Sequence, residues 1–384
     1  MASSQQAPKA EGSSHRWNIF KHKSTKQALP VQNGEISASI PINAVYYPNW
    51  RVYRQQPPSS MNLDFITHIF YAFAWVRSKG DLFFSDEYAD IEMDLDGAKG
   101  CLGDLKAVKQ QYPHIKTILS VGGGGEGSAP FPSVSSSGLV RSMFAQSART
   151  MVDAYGLDGI DIDWEHPSDP KQGQHYVQLL SAVRKALPAP KYMLTSALPA
   201  GEWVLKNIDL AKAWPQLDLI NVMTYDFAGP WTDACGYHAQ LYSPKEPHND
   251  AARLSCSSAV AHLTSKGVPA GKILLGIPTY GRSFLGAENV GDRFSGGGGE
   301  EGTFEYKDLP RPGSVVHFDE AAGAVYSVGG EAGFVTFDDP RTVHMKAQFA
   351  QQQGLAGLFF WTGTGDTKDG RSLVETGYRA LHAS

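Results

Sequence analysis

Three features of this 384-residue chain predict an α/β fold, a TIM (β/α)8 barrel with a small α+β subdomain inserted after its seventh strand. Short runs rich in Val, Ile, Phe and Tyr alternate with stretches of helical period from residue 43 onward, the mark of repeated βα units. There are eight such runs, and polar residues collect at their carboxyl ends, where a barrel presents its active site. One connection, of about sixty residues, is too long for a structureless loop in a compact domain. A doubly wound sheet would need a reversal of strand order; the strand count and the placement of the polar residues argue for the barrel.

Residues 1–40 are rich in Ser, Gln and Lys, carry Arg16, Lys21, Lys23 and Lys26 with little opposing acid, and read as a disordered tail. They contain no apolar signal-peptide core, so a cytoplasmic location is expected. The alternatives are a signal already removed, unconventional export or an organelle presequence. The strands then follow as Asn43–Tyr47, Ile66–Ala74, Ile115–Val121, Leu157–Trp164, Tyr192–Leu198, Leu217–Thr224, Ile273–Tyr280 and Ala356–Trp361. Lys99–Tyr112, Gly138–Tyr155, Gly173–Leu187, Asp250–Lys266 and Pro340–Gln353 read as helices, with apolar residues three and four apart and Gly or Pro near the ends. Residues 41–284 and 336–384 are assigned to the barrel and 285–335 to the insertion, whose runs Thr303–Tyr306, Val315–Asp319, Ala324–Val328 and Gly333–Phe337 are short and strand-like. An insertion at this point leaves the carboxyl face of the barrel and should wall one side of a cleft.

Composition narrows the function. With 34 Lys+Arg against 39 Asp+Glu the net charge is −5, so no global basic field exists to hold nucleic acid or an anionic membrane, and a neutral substrate fits better. No segment approaches the roughly 18 apolar residues of a membrane helix. Cys101, Cys235 and Cys256 are too few and scattered for a disulfide scaffold or zinc knuckle; buried thiols are expected, with a Cys235–Cys256 bridge as the alternative.

The strongest chemical signal is Asp158-Gly-Ile-Asp161-Ile-Asp163-Trp-Glu165-His166-Pro167. On a strand, side chains alternate faces, so Asp161, Asp163 and Glu165 point together toward the carboxyl end of the barrel, while Asp158 has the opposite parity and a structural role at the strand entrance. Burial and mutual repulsion disfavour three negative charges on one face, so protons must be shared and at least one pKa must rise. A Mg²⁺ or Ca²⁺ site is the other reading, although such ions usually draw ligands from separate segments and no phosphate cradle is evident.

This Asp-Gly-x-Asp-x-Asp-x-Glu run resembles the signature of family 18 glycoside hydrolases, the chitinases, over about residues 43–380. Ser120-Val-Gly122-Gly123 after the third strand, Met223-Thr-Tyr225-Asp226 after the sixth and Trp361 after the eighth are similar to further motifs of that family, and the insertion resembles the chitinase insertion domain of members with deep clefts. The resemblance implies hydrolysis of β-1,4 linkages in chitin or chito-oligosaccharides, with Glu165 protonating the glycosidic oxygen and the substrate's own acetamide as nucleophile. It further implies that Asp163 turns between Asp161 and the acetamide N–H, that Tyr225 donates to the acetamide oxygen, and that Asp226 binds the sugar and tunes the acid. Tyr225 and Asp226 could instead be packing residues with satisfied polar tips. Met223 belongs with the substrate-binding residues of its motif. Neither metal nor cofactor is implied, and a monomer is expected.

Sugar rings lie well on flat apolar side chains, which makes Trp361 the candidate floor of the cleavage subsite and Tyr47, Trp50, Phe73 and Trp231 secondary candidates along the cleft, each also readable as packing. Arg282 is read either as a hydrogen-bond donor to a sugar or to Asp226, or as a salt bridge to the insertion. Two positions depart from the family pattern: His166 follows the acid where Tyr is usual, and Thr362 follows Trp361 where an acidic residue is common. A chitin-binding lectin and an endo-β-N-acetylglucosaminidase are the rival readings, the first disfavoured by the presence of Glu165. The Gly122–Gly127 run fits G-x-G-x-x-G, but Ala129-Pro-Phe-Pro132 follows where a helix should open, so it is read as a loop at the cleft rim.

Overall fold

A computed structural model describes residues 41–247 and 251–383. The expected tail, residues 1–40, and the expected helix start at Asp250 lie outside the described residues. Eight strands form the barrel: β1 Ile42–Pro48, β2 His68–Val76, β3 Lys116–Gly122, β4 Gly159–Asp163, β5 Met193–Pro199, β6 Leu219–Met223, β7 Ile273–Pro278 and β8 Gly357–Trp361. All neighbours run parallel, and β1 pairs with both β2 and β8, which closes the sheet into a (β/α)8 barrel.

Alternation along each strand divides the apolar residues into two layers. Ala44, Tyr46, Phe70, Ile118, Leu219, Leu274 and Phe359 pack together as one cluster inside the barrel. Val45, Tyr47, Ile69, Leu119, Ile160 and Leu358 face outward and pack with the surrounding helices. The helices start where their caps dictate. Asp169 accepts from the Gln172 N–H at 2.8 Å and Pro170 fits the first turn, so that helix spans Pro170–Ala186 and opens ahead of Gly173. Ser255 and Asp339 close capping boxes on Cys256–Ser265 and Pro340–Gln352.

Several elements differ from the sequence reading. The seventh strand does not continue to Tyr280: it stops at Pro278, and Tyr280–Phe284 is already the first strand of a separate antiparallel sheet completed by Thr303–Glu305, Ser314–Asp319, Ala324–Gly329 and Phe334–Phe337. Within 285–335 the regular structure is the strands of this sheet and short 3-10 turns, and the helix Pro340–Gln352 follows it. Pro278 has no N–H to continue a ladder, and the chain turns there toward the outer sheet. A strand Leu82–Phe84, antiparallel to β2, and a C-terminal helix Leu373–His382 were not anticipated.

Candidate active site

The β3–β4–β5 register sets the base of the site. Ser120, Asp161 and Thr195 are neighbours across the three strands, and their side chains point inward together. Asp161 is fully buried; its Oδ2 accepts from Tyr46 Oη at 2.9 Å and Ser120 Oγ at 2.7 Å, and its Oδ1 from Thr195 Oγ1 at 2.6 Å. Burial pushes its pKa up against these three hydroxyl donors. Asp163, the last residue of β4, is buried, and its Oδ1 has no hydrogen-bond partner. Burial and then the negative charges of Glu165 and Asp161 raise its pKa well above the usual carboxylate range. Glu165 lies just beyond the strand, its backbone N–H donating to Ser128 Oγ at 2.7 Å and its side chain entering the cavity. Burial and the charge of Asp226 push its pKa up to about 7.

The glycine run has a packing role here. A Cβ at Gly122, where φ is +119°, would strike the Asp163 carbonyl, and one at Gly123 would strike the Phe73 ring. Gly123 N–H also donates to Asp163 O at 2.9 Å, so the loop after β3 binds the end of β4. Asp158, at the other end, accepts from Lys109 Nζ at 2.5 Å and the Thr117 N–H at 2.8 Å.

From β6, Met223, Tyr225 and Asp226 reach the same cavity of about 450 Å³, which Trp361, Phe73 and Trp50 also line. Asp226 has φ of +60° and accepts at Oδ1 from Tyr280 Oη and Arg282 Nε, each at 2.6 Å, with His238 Nδ1 3.6 Å away. Burial opposes its ionisation, but the His238 and Arg282 side chains outweigh that and hold it well below the usual carboxylate range. Trp361 lies 5.4 Å from Tyr46 and 6.0 Å from Phe73, ring centre to ring centre.

The structure thus brings together Glu165, Asp163, Asp161, Tyr225, Met223, Asp226, Phe73 and Trp361, with Arg282 behind Asp226. Two sequence candidates do not join them. Tyr47 is fully buried on the outer side of β1, its hydroxyl donating to Gln56 O at 2.9 Å, and its neighbour Tyr46 takes the inward place. Trp231 is exposed outside the cavity and covers the Arg282 guanidinium at 4.6 Å. Sequence reasoning also missed Tyr46, His238, Tyr280 and Trp203. Tyr46 lies on the inward parity of β1, which a run of four buried residues leaves unmarked in the sequence. Among the described residues no group of three or more His, Cys, Asp or Glu is arranged to hold a metal ion, and all three cysteines are buried and free. No helix among them is long and apolar enough to cross a membrane.

A closed parallel barrel that delivers a buried carboxyl ladder and a glutamic acid with a raised pKa to an aromatic-lined cleft has the build of a glycoside hydrolase. Residues 42–366 match the model of glycosyl hydrolases family 18. Chitinase 1 of Aphanocladium album is 37% identical over 362 residues, covering 88% of this chain and 85% of that protein, and Endochitinase 1 of Metarhizium robertsii is 34% identical over 363 residues with the same coverage. Among solved structures, chitinase ChiA74 from Bacillus thuringiensis superposes with a TM-score of 0.82 at 28% identity, covering 89% of this chain and 70% of that one. A Cycas revoluta chitinase solved in complex with (GlcNAc)4 superposes with a TM-score of 0.78 at 25% identity, covering 88% and 99%. The chain belongs to glycosyl hydrolase family 18 and is a glycoside hydrolase.

Proposed function

We propose that this enzyme hydrolyses β-1,4 linkages between N-acetylglucosamine units of chitin and chito-oligosaccharides, with Glu165 as general acid and base and the substrate acetamide as nucleophile. The names of the relatives point to chitin as substrate. The observation that carries the mechanism is the state of Asp163: Asp161 below it is saturated by three hydroxyls, whereas Asp163 Oδ1 is buried without a partner. An unsatisfied buried carboxyl oxygen is costly and is relieved when a donor arrives; the acetamide N–H is that donor.

Held by Asp163 and by the Tyr225 hydroxyl, the acetamide oxygen attacks the anomeric carbon as the bond to the leaving oxygen breaks and Glu165 gives that oxygen its proton. Water then opens the oxazolinium ring from the face the leaving group vacated, losing its proton to Glu165. A pKa near 7 suits both halves of that cycle, since the same carboxyl must give and take a proton. Asp226, pinned by Tyr280 and Arg282, supplies fixed negative charge rather than a nucleophile. A product time course on chitohexaose, run beside a high-mannose glycopeptide, tests the assignment: cleavage of the oligomer supports it, and cleavage of the glycopeptide alone transfers it to an endo-β-N-acetylglucosaminidase.

A further inference from the structure

A second set of buried charges lies outside the proposed chemistry. Lys346, on the helix Pro340–Gln352, is fully buried, and its Nζ meets Asp338 Oδ2 at 2.6 Å, with Asp338 itself 2% exposed. A buried ammonium or carboxylate without a partner is costly, so each of the two requires the other. Asp338 follows the last strand of the insertion sheet, Phe334–Phe337, and two positions before it Thr336 Oγ1 accepts from the His238 N–H at 3.4 Å. The His238 carbonyl accepts from the Phe227 N–H at 3.1 Å, which ties the same histidine to the segment that carries Asp226.

The His238 imidazole is fully buried, with Nδ1 3.6 Å from Asp226 Oδ1 and its ring 5.2 Å from that of Tyr280; neither ring nitrogen has a hydrogen-bond partner among the described residues. Its charge state is contested. Burial, the largest influence, holds its pKa below that of a free histidine with help from the Arg282 cation, whereas Asp226 and Asp338 both pull it upward. Each carboxylate has its own counter-charge: Arg282 donates to Asp226, and Lys346 pairs with Asp338. Cys256, also beside the buried pair, is kept a neutral thiol by burial. We infer that Lys346 and Asp338 are remote positioning residues for the reaction: by cancelling the Asp338 charge, Lys346 keeps His238 an uncharged imidazole, and Asp226 presents its full negative charge to Glu165. Without Lys346, His238 faces two carboxylates and takes up a proton, and an imidazolium beside Asp226 offsets the charge that acts on the acid. The inference goes beyond the substrate assignment but rests on the reading of Glu165 as the acid.

The test follows the alkaline limb of kcat/KM for chitotetraose. Lys346→Met should move that limb to lower pH by about one unit. Adding Asp338→Asn should return it by removing the unpaired charge, and adding His238→Phe should return it by removing the group that answers that charge. A limb that stays in place in Lys346→Met, or stays displaced once His238→Phe is added, would overturn the inference. Selective ¹⁵N labelling of histidine, with His238→Phe to assign the signal, reads the same claim without activity: neutral imidazole in the unaltered protein from about pH 5 to 8, and imidazolium in Lys346→Met. An imidazolium at His238 in the unaltered protein would overturn the inference even if Lys346→Met failed to fold. Failure of the unaltered enzyme to cut chitotetraose would instead count against the chitinase reading, while the ¹⁵N shifts still decide the charge of His238.

Discussion

Arg282 Nε donates to Asp226 Oδ1 at 2.6 Å, so the first strand of the insertion sheet grips a carboxylate that follows barrel strand β6. Tyr280, from the same strand, donates to the same oxygen. The consequence reaches the acid: the Asp226 negative charge is one of the two causes that raise the Glu165 pKa to about 7. The insertion therefore acts on the chemistry through a charge as well as through the shape of the cleft.

Asp226→Asn should move the alkaline limb of the kcat/KM profile to lower pH. Glu165 must be protonated to act as acid, so activity falls as pH rises through its pKa; removing a neighbouring negative charge lowers that pKa and brings the fall earlier. A limb left in place, or moved to higher pH, would separate Asp226 from the acid.

Glu165→Gln should lower turnover by roughly 10²–10⁴ while oligosaccharide binding survives. It should also raise Tm at pH 8 and leave it unchanged at pH 4. The folded-state pKa of about 7 lies above that of an unfolded glutamate, so the native protein binds the extra proton and loses stability as pH rises from the unfolded toward the folded value. Activity within a few-fold of the original enzyme would remove Glu165 from the mechanism.

Asp163→Asn should depress kcat by about 10²-fold with a smaller change in KM, because its role is to orient a group already bound. The acidic limb of the profile should change as well, since one of the coupled carboxyls is gone. A profile and turnover matching those of the original enzyme would reduce the ladder to a structural feature.

Tyr46 and Tyr47 are neighbours with opposite fates. Tyr46→Phe removes a donor to the buried Asp161 and an acceptor for Asn221 Nδ2 at 2.8 Å, and should cost about tenfold in kcat. Tyr47→Phe removes a bond to Gln56 O on the outer side of β1 and should cost about 1 kcal/mol of stability with turnover intact. Urea unfolding beside kinetics on both variants reads the difference, and equal catalytic losses would contradict the assigned parity.

How much of this could be read from the chain differs by element. The Asp161–Glu165 ladder was legible because acids alternate with Ile160, Ile162 and Trp164, which leaves only one parity compatible with a strand core. The same logic fails in β1, where Ala44 through Tyr47 are all buried and carry no polar contrast, so the pattern does not tell which tyrosine faces inward. The end of β7 was hidden because Pro278-Thr279-Tyr280 prolongs an apolar run across a turn between two sheets. Trp203 gave no periodic signal, since its four-residue helix is too short to show one, and the contacts of Asp226 with Tyr280 and Arg282 span 54 and 56 positions, which no local pattern encodes.

The central claim is that the substrate's acetamide, held by Asp163 and Tyr225, is the nucleophile, so that two successive inversions at the anomeric carbon retain its configuration. Time-resolved ¹H NMR of chitotetraose hydrolysis, read before mutarotation, tests it most directly. The β-anomer should appear first and the α-anomer only later, as the free sugar equilibrates; the α-anomer as first product would contradict the account.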